Sequence, residues 1–235
     1  MNNNIIWIAS FDIGKKNFCF YIEEINLPEL LSIQILPIDK RYNNDGTPTQ
    51  DFIINLEHIY KNGKVILLEN IDLTQNCNPK LYLDFNIFYN INNLLDSYEN
   101  YWNQCDYFII EQQMSFGKKN NILALKIGQH CWSYFSIKFN SNQKKYSNII
   151  EFPAYYKTQI LGSKKDIIKT KNGIIKYKSI DKPKRKKWSI EKALEILSIR
   201  NDNDTIKFIK SQKKKDDLAD VICQLQAFKI NNFFI

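Results

Sequence analysis

The 235 residues are 44% hydrophobic and 14% aromatic, enough to build a substantial core, which excludes a disordered chain and suits one domain with room for an insertion. Lys and Arg outnumber Asp and Glu by 33 to 25, a net charge of +8 that favours an anionic partner such as nucleic acid. No apolar run approaches the roughly 18 residues a membrane span needs, the N-terminus lacks the basic flank and apolar core of a signal peptide, and five scattered cysteines with no CxxC argue for a reduced, intracellular protein without zinc.

IIWIASF (5–11) reads as a strand ending at Asp12, with NFCFYIEEI (17–25) pairing back after the tight Gly14-Lys15-Lys16 turn. Residues 28–62 read as a loop-rich insert with a short helix near 50–60, and KVILLE (64–69) is a third strand. Leu81, Phe85, Phe88, Leu95, Tyr98 and Trp102 recur near helical spacing. DYFIIE (106–111) is an apolar strand that again ends on a carboxylate, Glu111. A long helix follows over 119–138, with Ile122, Leu125, Gln129, Trp132 and Phe135 along it, then a fifth strand, NIIEFP (148–153).

Segment 163–187 holds eleven basic residues against two acids, an excess larger than the net charge of the whole chain. It reads as a basic loop or a hairpin around Asn172-Gly173, a favoured two-residue turn. A helix begins near Trp188 with Ser189 as its cap, and KKKDDLADVICQL (213–225) opens the last one. The order β-β-β-α-β-α-β-α-α predicts an α/β chain, a mixed sheet with helices on both faces, forming a single domain over 1–235.

Three carboxylates, Asp216, Asp217 and Asp220, crowd the mouth of that last helix, where one would serve as a cap. Asp217 and Asp220, at i and i+3, can point together, and with Asp12 and Glu111 each closing a strand, four carboxylates converge if both strand ends lie beside the helix mouth. Each ionised pair at about 4 Å repels by roughly 4 kcal/mol at an effective dielectric near 20, so such a cluster calls for protons or divalent cations. Mg²⁺ takes hard oxygen ligands, and a pair of ions activates water and steadies the leaving oxygen of a phosphodiester. Spacing leaves open which helix acids act together: 217/220 and 216/220 both share a face. The buried stripe is expected at Leu218, Val221, Ile222 and Leu225.

FDIGKKN, FIIEQQ and KKDDLAD resemble the three acidic motifs of the poxvirus-type Holliday junction resolvases, relatives of RuvC in the RNase H-like superfamily. KRKKWSIEKALEIL resembles the basic stretch and helix before their last motif. The resemblance implies an RNase H-like fold with a mixed five-stranded sheet, Asp12, Glu111, Asp217 and Asp220 as catalytic metal ligands, and two Mg²⁺ ions (Mn²⁺ substituting) as cofactor. It also implies a homodimer acting on four-way DNA junctions, with no membrane and no small-molecule cofactor. A large DNA virus is then the source and a cytoplasmic virus factory the location; a cellular protein would sit in nucleus or mitochondrion. The resemblance favours Asp217 with Asp220 and leaves Asp216 as a helix cap or as an acid that supports the ligands without touching metal. The 28–62 insert and the 163–187 segment depart from the poxvirus pattern.

Lys15, Lys16, Lys184, Arg185, Lys186 and Lys187 are read as DNA contacts, against the plain alternative of solvated lysines. Gly14 serves either the turn or a close phosphate approach; His130 is read as packed; Gln112, Gln113 and Ser115 stand where they would line a cleft. FDIG also resembles the phosphate loop of actin-like ATPases, but those duplicate the motif and need a Gly-rich site, and this chain has seven glycines. Another RNase H-like nuclease, for flaps or RNA–DNA hybrids, and a non-catalytic DNA-binding module are the remaining alternatives.

Overall fold

The computed structural model describes residues 4–113, 121–140, 148–169, 172 and 174–234. Its first elements are β1 (Ile5–Asp12), β2 (Phe18–Asn26), α1 (Leu27–Leu31), a 3-10 turn (Ile38–Lys40), α2 (Gln50–Lys61), β3 (Lys64–Ile71), α3 (Phe85–Ser97) and α4 (Glu99–Trp102). They are followed by β4 (Cys105–Gln112), α5 (Ile122–Asn140), β5 (Asn148–Pro153), α6 (Tyr156–Ile160), β6 (Asp166–Lys169), β7 (Ile175–Lys178), α7 (Lys182–Ile199), α8 (Asn203–Ser211) and α9 (Lys215–Phe234). They fall into two units: Met1–Ile25 with Lys64–Ala154, and Asn26–Gly63 with Tyr155–Ile235.

The first unit is built on a five-stranded sheet in the order β3-β2-β1-β4-β5. β1, β4 and β5 run parallel, while β3 is antiparallel to β2. The link between neighbours β1 and β2, residues 13–17, is far too short for a crossover, so that pair is an antiparallel hairpin. This is the mixed five-stranded sheet of an α/β chain expected from the sequence.

Alternation along the strands turns Ala9, Phe11, Phe18, Phe20, Ile22, Phe108 and Ile110 to one face, where they form a core with α3, α4 and α5. Aromatic rings knit it together: Phe108 lies 4.2 Å from Phe135, and Phe11 lies 5.4 Å from Phe135 and 5.6 Å from Trp102. The buried Trp102 indole donates to the Leu95 carbonyl at 2.7 Å, so its polar atom is satisfied where its ring is buried.

Two helix faces differ from the sequence reading. Asp84 caps α3 by accepting from the Asn86 N–H at 2.8 Å, so the helix starts after Leu81 and buries Ile87, Ile91 and Leu95. Phe85, expected inside, is 77% exposed. In α5 the inward residues are Leu123, Ala124, Ile127, Cys131 and Phe135, and Ile122 is exposed; residues 119 and 120 lie outside the described residues. His130 is packed, as expected, with its Nε2 2.9 Å from Asn92 Oδ1 and its ring against Phe88.

In the second unit α9 is the central helix. The expected stripe was too narrow: every residue from Val221 to Ile230 is buried, Gln224, Gln226 and Lys229 included, as in a helix surrounded on all sides. α2, α6, α7 and α8 pack around it. The Lys229 ammonium reaches the carbonyls of Ile59 (2.9 Å) and Asn62 (2.6 Å), and Arg200 Nε donates to Tyr60 O at 2.5 Å. The end of α2 thus gains two cations, which satisfy its orphan carbonyls and complement its dipole.

The basic segment is partly hairpin and partly helix. β6 and β7 pair from Asp166–Lys178 to Lys169–Ile175, which leaves residues 170–174 for the connection. Of the expected Asn172-Gly173 turn, Gly173 lies outside the described residues, as do Thr170 and Lys171. α7 begins at Lys182, not at Trp188, because Asp181 accepts from the Lys184 N–H at 3.0 Å and Pro183 sits in the first turn. Ser189 is therefore an interior, buried residue, and Lys184, Arg185, Lys186 and Lys187 stand on a helix.

Candidate functional site

Two of the expected acids meet in the first unit. The parallel register of β1 and β4 pairs Phe11 with Ile110, so one residue further Asp12 comes level with Glu111. Phe11 and Ile110 both point into the aromatic core, and alternation therefore puts Asp12 and Glu111 together on the opposite face. Neighbouring strands are about 4.8 Å apart. Two half-exposed carboxylates thus share the C-terminal edge of adjacent parallel strands, the edge where open α/β sheets bind their ligands.

The surroundings hold Glu111 and the turn that follows Asp12. The Gln113 side-chain amide folds back to donate to Glu111, 3.3 Å from its backbone oxygen and 3.4 Å from Oε2. A Cβ on Gly14 would stand 2.7 Å from the Asn17 carbonyl, so glycine is required by the turn itself. Leu73 N–H donates to Lys15 O at 2.8 Å, tying that turn down. Lys15 is half-buried and Lys16 exposed, directly beyond Asp12. Ser115 lies outside the described residues.

The helix mouth lies in the second unit, and its three aspartates have three different environments. Asp216 is bound to the Lys186 ammonium; burial pushes its carboxyl up, but the hydrogen bond and charge of Lys186 outweigh this and hold it below the ordinary value. Asp220 Oδ2 lies 3.3 Å from Lys157 Nζ, whose side chain is only 5% exposed. Asp217 makes no ion pair with any described residue. Burial, and then the charge of Asp216, push it up to about 6. Spacing left the aspartates equivalent; their partners do not. Asp216 is already paired with a cation, while Asp217 feels Lys186 and Lys214 only through space, and burial with the Asp216 charge outweighs them.

Lys157 was missed from the sequence. It sits in AYYKTQI, one of 33 basic residues, and only the fold shows that it is buried beside Asp220. The expected DNA contacts are also differentiated: Lys184 Nζ is 2.9 Å from both Asp166 oxygens, and Lys187 is 3.8 Å from Glu191. Arg185 pairs with no described acid.

Among the described residues no three His, Cys, Asp or Glu side chains are grouped to hold a metal ion. The donor chemistry of the acids nevertheless fits a hard divalent cation: all are carboxylates, as Mg²⁺ prefers, and a half-buried Asp217 that resists ionisation is stabilised by a cation at its oxygens.

No family model matches the chain. It is 35% identical over 244 residues to the uncharacterized protein 170L of Invertebrate iridescent virus 6, covering 95% of this chain and 89% of the relative. The chain belongs to the family of that viral protein. Solved structures similar to this 170L-family member include the Fowlpox virus resolvase in complex with substrate Holliday junction DNA, at 17% identity and a TM-score of 0.49, covering 97% of this chain and 99% of that one. Another is Thermus thermophilus RuvC, at 11% identity and a TM-score of 0.48, covering 97% of each.

Proposed function

We propose that the chain is a Mg²⁺-dependent endonuclease that resolves four-way DNA junctions by paired, symmetric cuts, acting as a homodimer. The observation that carries this reading is the Asp12–Glu111 pair, set side by side on one face at the ends of β1 and β4 and lying within the motifs FDIGKKN and FIIEQQ. Asp217 and Asp220 supply the remaining ligands, and the whole 1–235 chain works as one RNase H-like nuclease. When bound, two Mg²⁺ ions (or Mn²⁺) supply an activated water and charge stabilisation at the leaving oxygen.

The chain's own residues do the positioning. Gln113 orients Glu111. Lys157 holds the Asp220 carboxylate in place, and Lys186 removes the charge of Asp216, so that Asp217 is the acid left to meet a cation. Lys15, Lys16, Lys184, Arg185, Lys186 and Lys187 face DNA phosphates, and on α7 Arg185 contributes most because Lys184, Lys186 and Lys187 are each paired with an acid. Two-fold symmetry of the substrate asks for two subunits in register. No described helix is long and apolar enough to cross a membrane, and we place the protein where viral DNA is processed, in the cytoplasmic virus factory.

The test is cleavage of labelled four-way junction, duplex, flap and RNA–DNA hybrid with Mg²⁺, Mn²⁺, Ca²⁺ or EDTA. Junction cutting in Mg²⁺ and Mn²⁺, with binding but little turnover in Ca²⁺, is expected. Full activity in EDTA refutes the metal reading. Preference for flap or hybrid assigns the same carboxylates to a different nuclease, and junction binding without cleavage leaves a non-catalytic DNA-binding module.

A further inference from the structure

The second unit contains a cavity of about 440 Å³ lined by the 42–46 turn of the insert, the segment around α6, and the start of α7. That volume lies within the range of small-molecule sites and is ample for a single nucleotide. Its walls are locked. Tyr42 donates its hydroxyl to Ile160 O at 2.7 Å, and Lys165 N–H donates to Asp45 O at 2.7 Å. Gly46 has φ +84° with the Lys165 stem against it, and a Cβ on Gly162, at φ +75°, would strike the Pro48 ring. These two glycines let the insert and the basic segment close on each other.

Three features of the lining are unmet. Ser163 is only 6% exposed and its Oγ has no hydrogen-bond partner among the described residues, a costly state for a buried hydroxyl unless a ligand supplies the bond. Lys165 and Arg185 line the cavity and pair with no described acid. Their neighbours Lys164 and Lys184 do pair, with Asp45 at 3.9 Å and Asp166 at 2.9 Å. Tyr155, also in the lining, is 53% exposed, and its ring is braced 4.8 Å from that of Tyr156 in an edge-on contact. Two unneutralised cations ask for an anion, the hydroxyl asks for a polar group, and an exposed ring offers a stacking surface.

We propose that this cavity takes one unstacked nucleotide of a DNA strand, with its phosphate on Lys165 and Arg185, its base against Tyr155 and a hydrogen bond from Ser163. The proposal rests on the DNA-processing reading above and gives the 28–62 insert a role in it: the insert makes one wall of a single-nucleotide pocket. Extruding a nucleotide costs least where a strand is already unpaired or poorly stacked, so the pocket selects branched or frayed DNA over continuous duplex.

The test is fluorescence anisotropy of the full chain with a short labelled oligo-dT, in EDTA, with dTMP and inorganic phosphate as competitors. Tyr155→Leu should weaken oligo-dT binding about tenfold, and Tyr155→Phe should restore it. Lys165→Gln with Arg185→Gln should also weaken it and flatten its salt dependence. dTMP should compete and phosphate alone should compete far less; equal competition by phosphate overturns the base contact. Unchanged oligo-dT affinity in both the Tyr155→Leu and the double cation variants overturns the pocket, and circular dichroism melts confirm that each variant is folded. Because no metal is present, this outcome is separate from catalysis. A chain that cuts no DNA but binds oligo-dT through Tyr155 keeps the pocket and loses the nuclease reading; one that cuts junctions with no effect of these variants does the reverse.

Discussion

Asp217→Asn should make the metal-free protein more stable at pH 8. The carboxyl is half-buried, and its pKa rises from 3.8 to about 6 through desolvation and the charge of Asp216. The folded state therefore binds this proton more tightly than the unfolded chain does, so the ionised group costs stability. The cost is absent below about pH 4, grows between about pH 4 and 6 and is full above that window. Roughly two pH units correspond to about 3 kcal/mol, and partial exposure screens this to about 1–2 kcal/mol. For a chain of this size each kcal/mol moves the melting temperature by about 2–4 °C. Calorimetry in EDTA should thus find Asp217→Asn melting about 3–6 °C above the unmodified chain at pH 8 and level with it near pH 4. Mg²⁺ should raise the melting temperature of the unmodified chain and leave that of the variant nearly unchanged. A variant that melts at or below the parent at pH 8 refutes the claim that this charge costs stability.

Asp12→Asn, Glu111→Gln, Asp217→Asn and Asp220→Asn should each abolish junction cleavage while keeping junction binding, whereas Asp216→Asn should retain measurable turnover; a dead Asp216→Asn beside an active Asp217→Asn would reverse the assignment at the helix mouth. Lys229→Met should cost about 3 kcal/mol in urea unfolding, because it strands the Ile59 and Asn62 carbonyls in the core, and a loss under 1 kcal/mol would show that water replaces the ammonium. Gln substitution of Lys184, Arg185, Lys186 and Lys187 together should lower the salt slope of log K for junction binding by about 0.9 for each phosphate left without its cation; an unchanged slope makes these side chains merely solvated. Light scattering should give a dimer, and Phe85→Asp should shift it toward monomer if Leu81, Tyr82, Phe85, Tyr89 and Ile122, exposed apolar side chains near the start of α3 and α5, form its surface; an unchanged dimer places the surface elsewhere.

The strands were legible because each is a short apolar run with a polar stop, and Asp12 and Glu111 could be read off those stops. Their sharing of one face followed from alternation once β1 and β4 were neighbours, which no local pattern dictates. α8 escaped notice because it is only nine residues long, too short for its apolar spacing to stand out between two longer helices. The start of α7 was readable in Asp181-Lys182-Pro183, a cap followed by proline, but the lysine run drew the boundary to the first aromatic instead. What spacing could not reveal was charge balance: Asp216 and Asp217 are adjacent in the chain, and the position of Lys186 separates their environments.

The second unit is made of two stretches of chain, 26–63 and 155–235, that alternate with those of the first, and its central helix is the last described element. Lys229 closes on carbonyls 170 and 167 residues earlier, and such distant pairings form late because a long loop must close before any contact rewards it. On the ribosome, therefore, β1 to β5 can assemble while α1 and α2 still wait for α9. The aspartates of the helix mouth arrive with that final piece, so a nascent or prematurely terminated chain carries Asp12 and Glu111 without them.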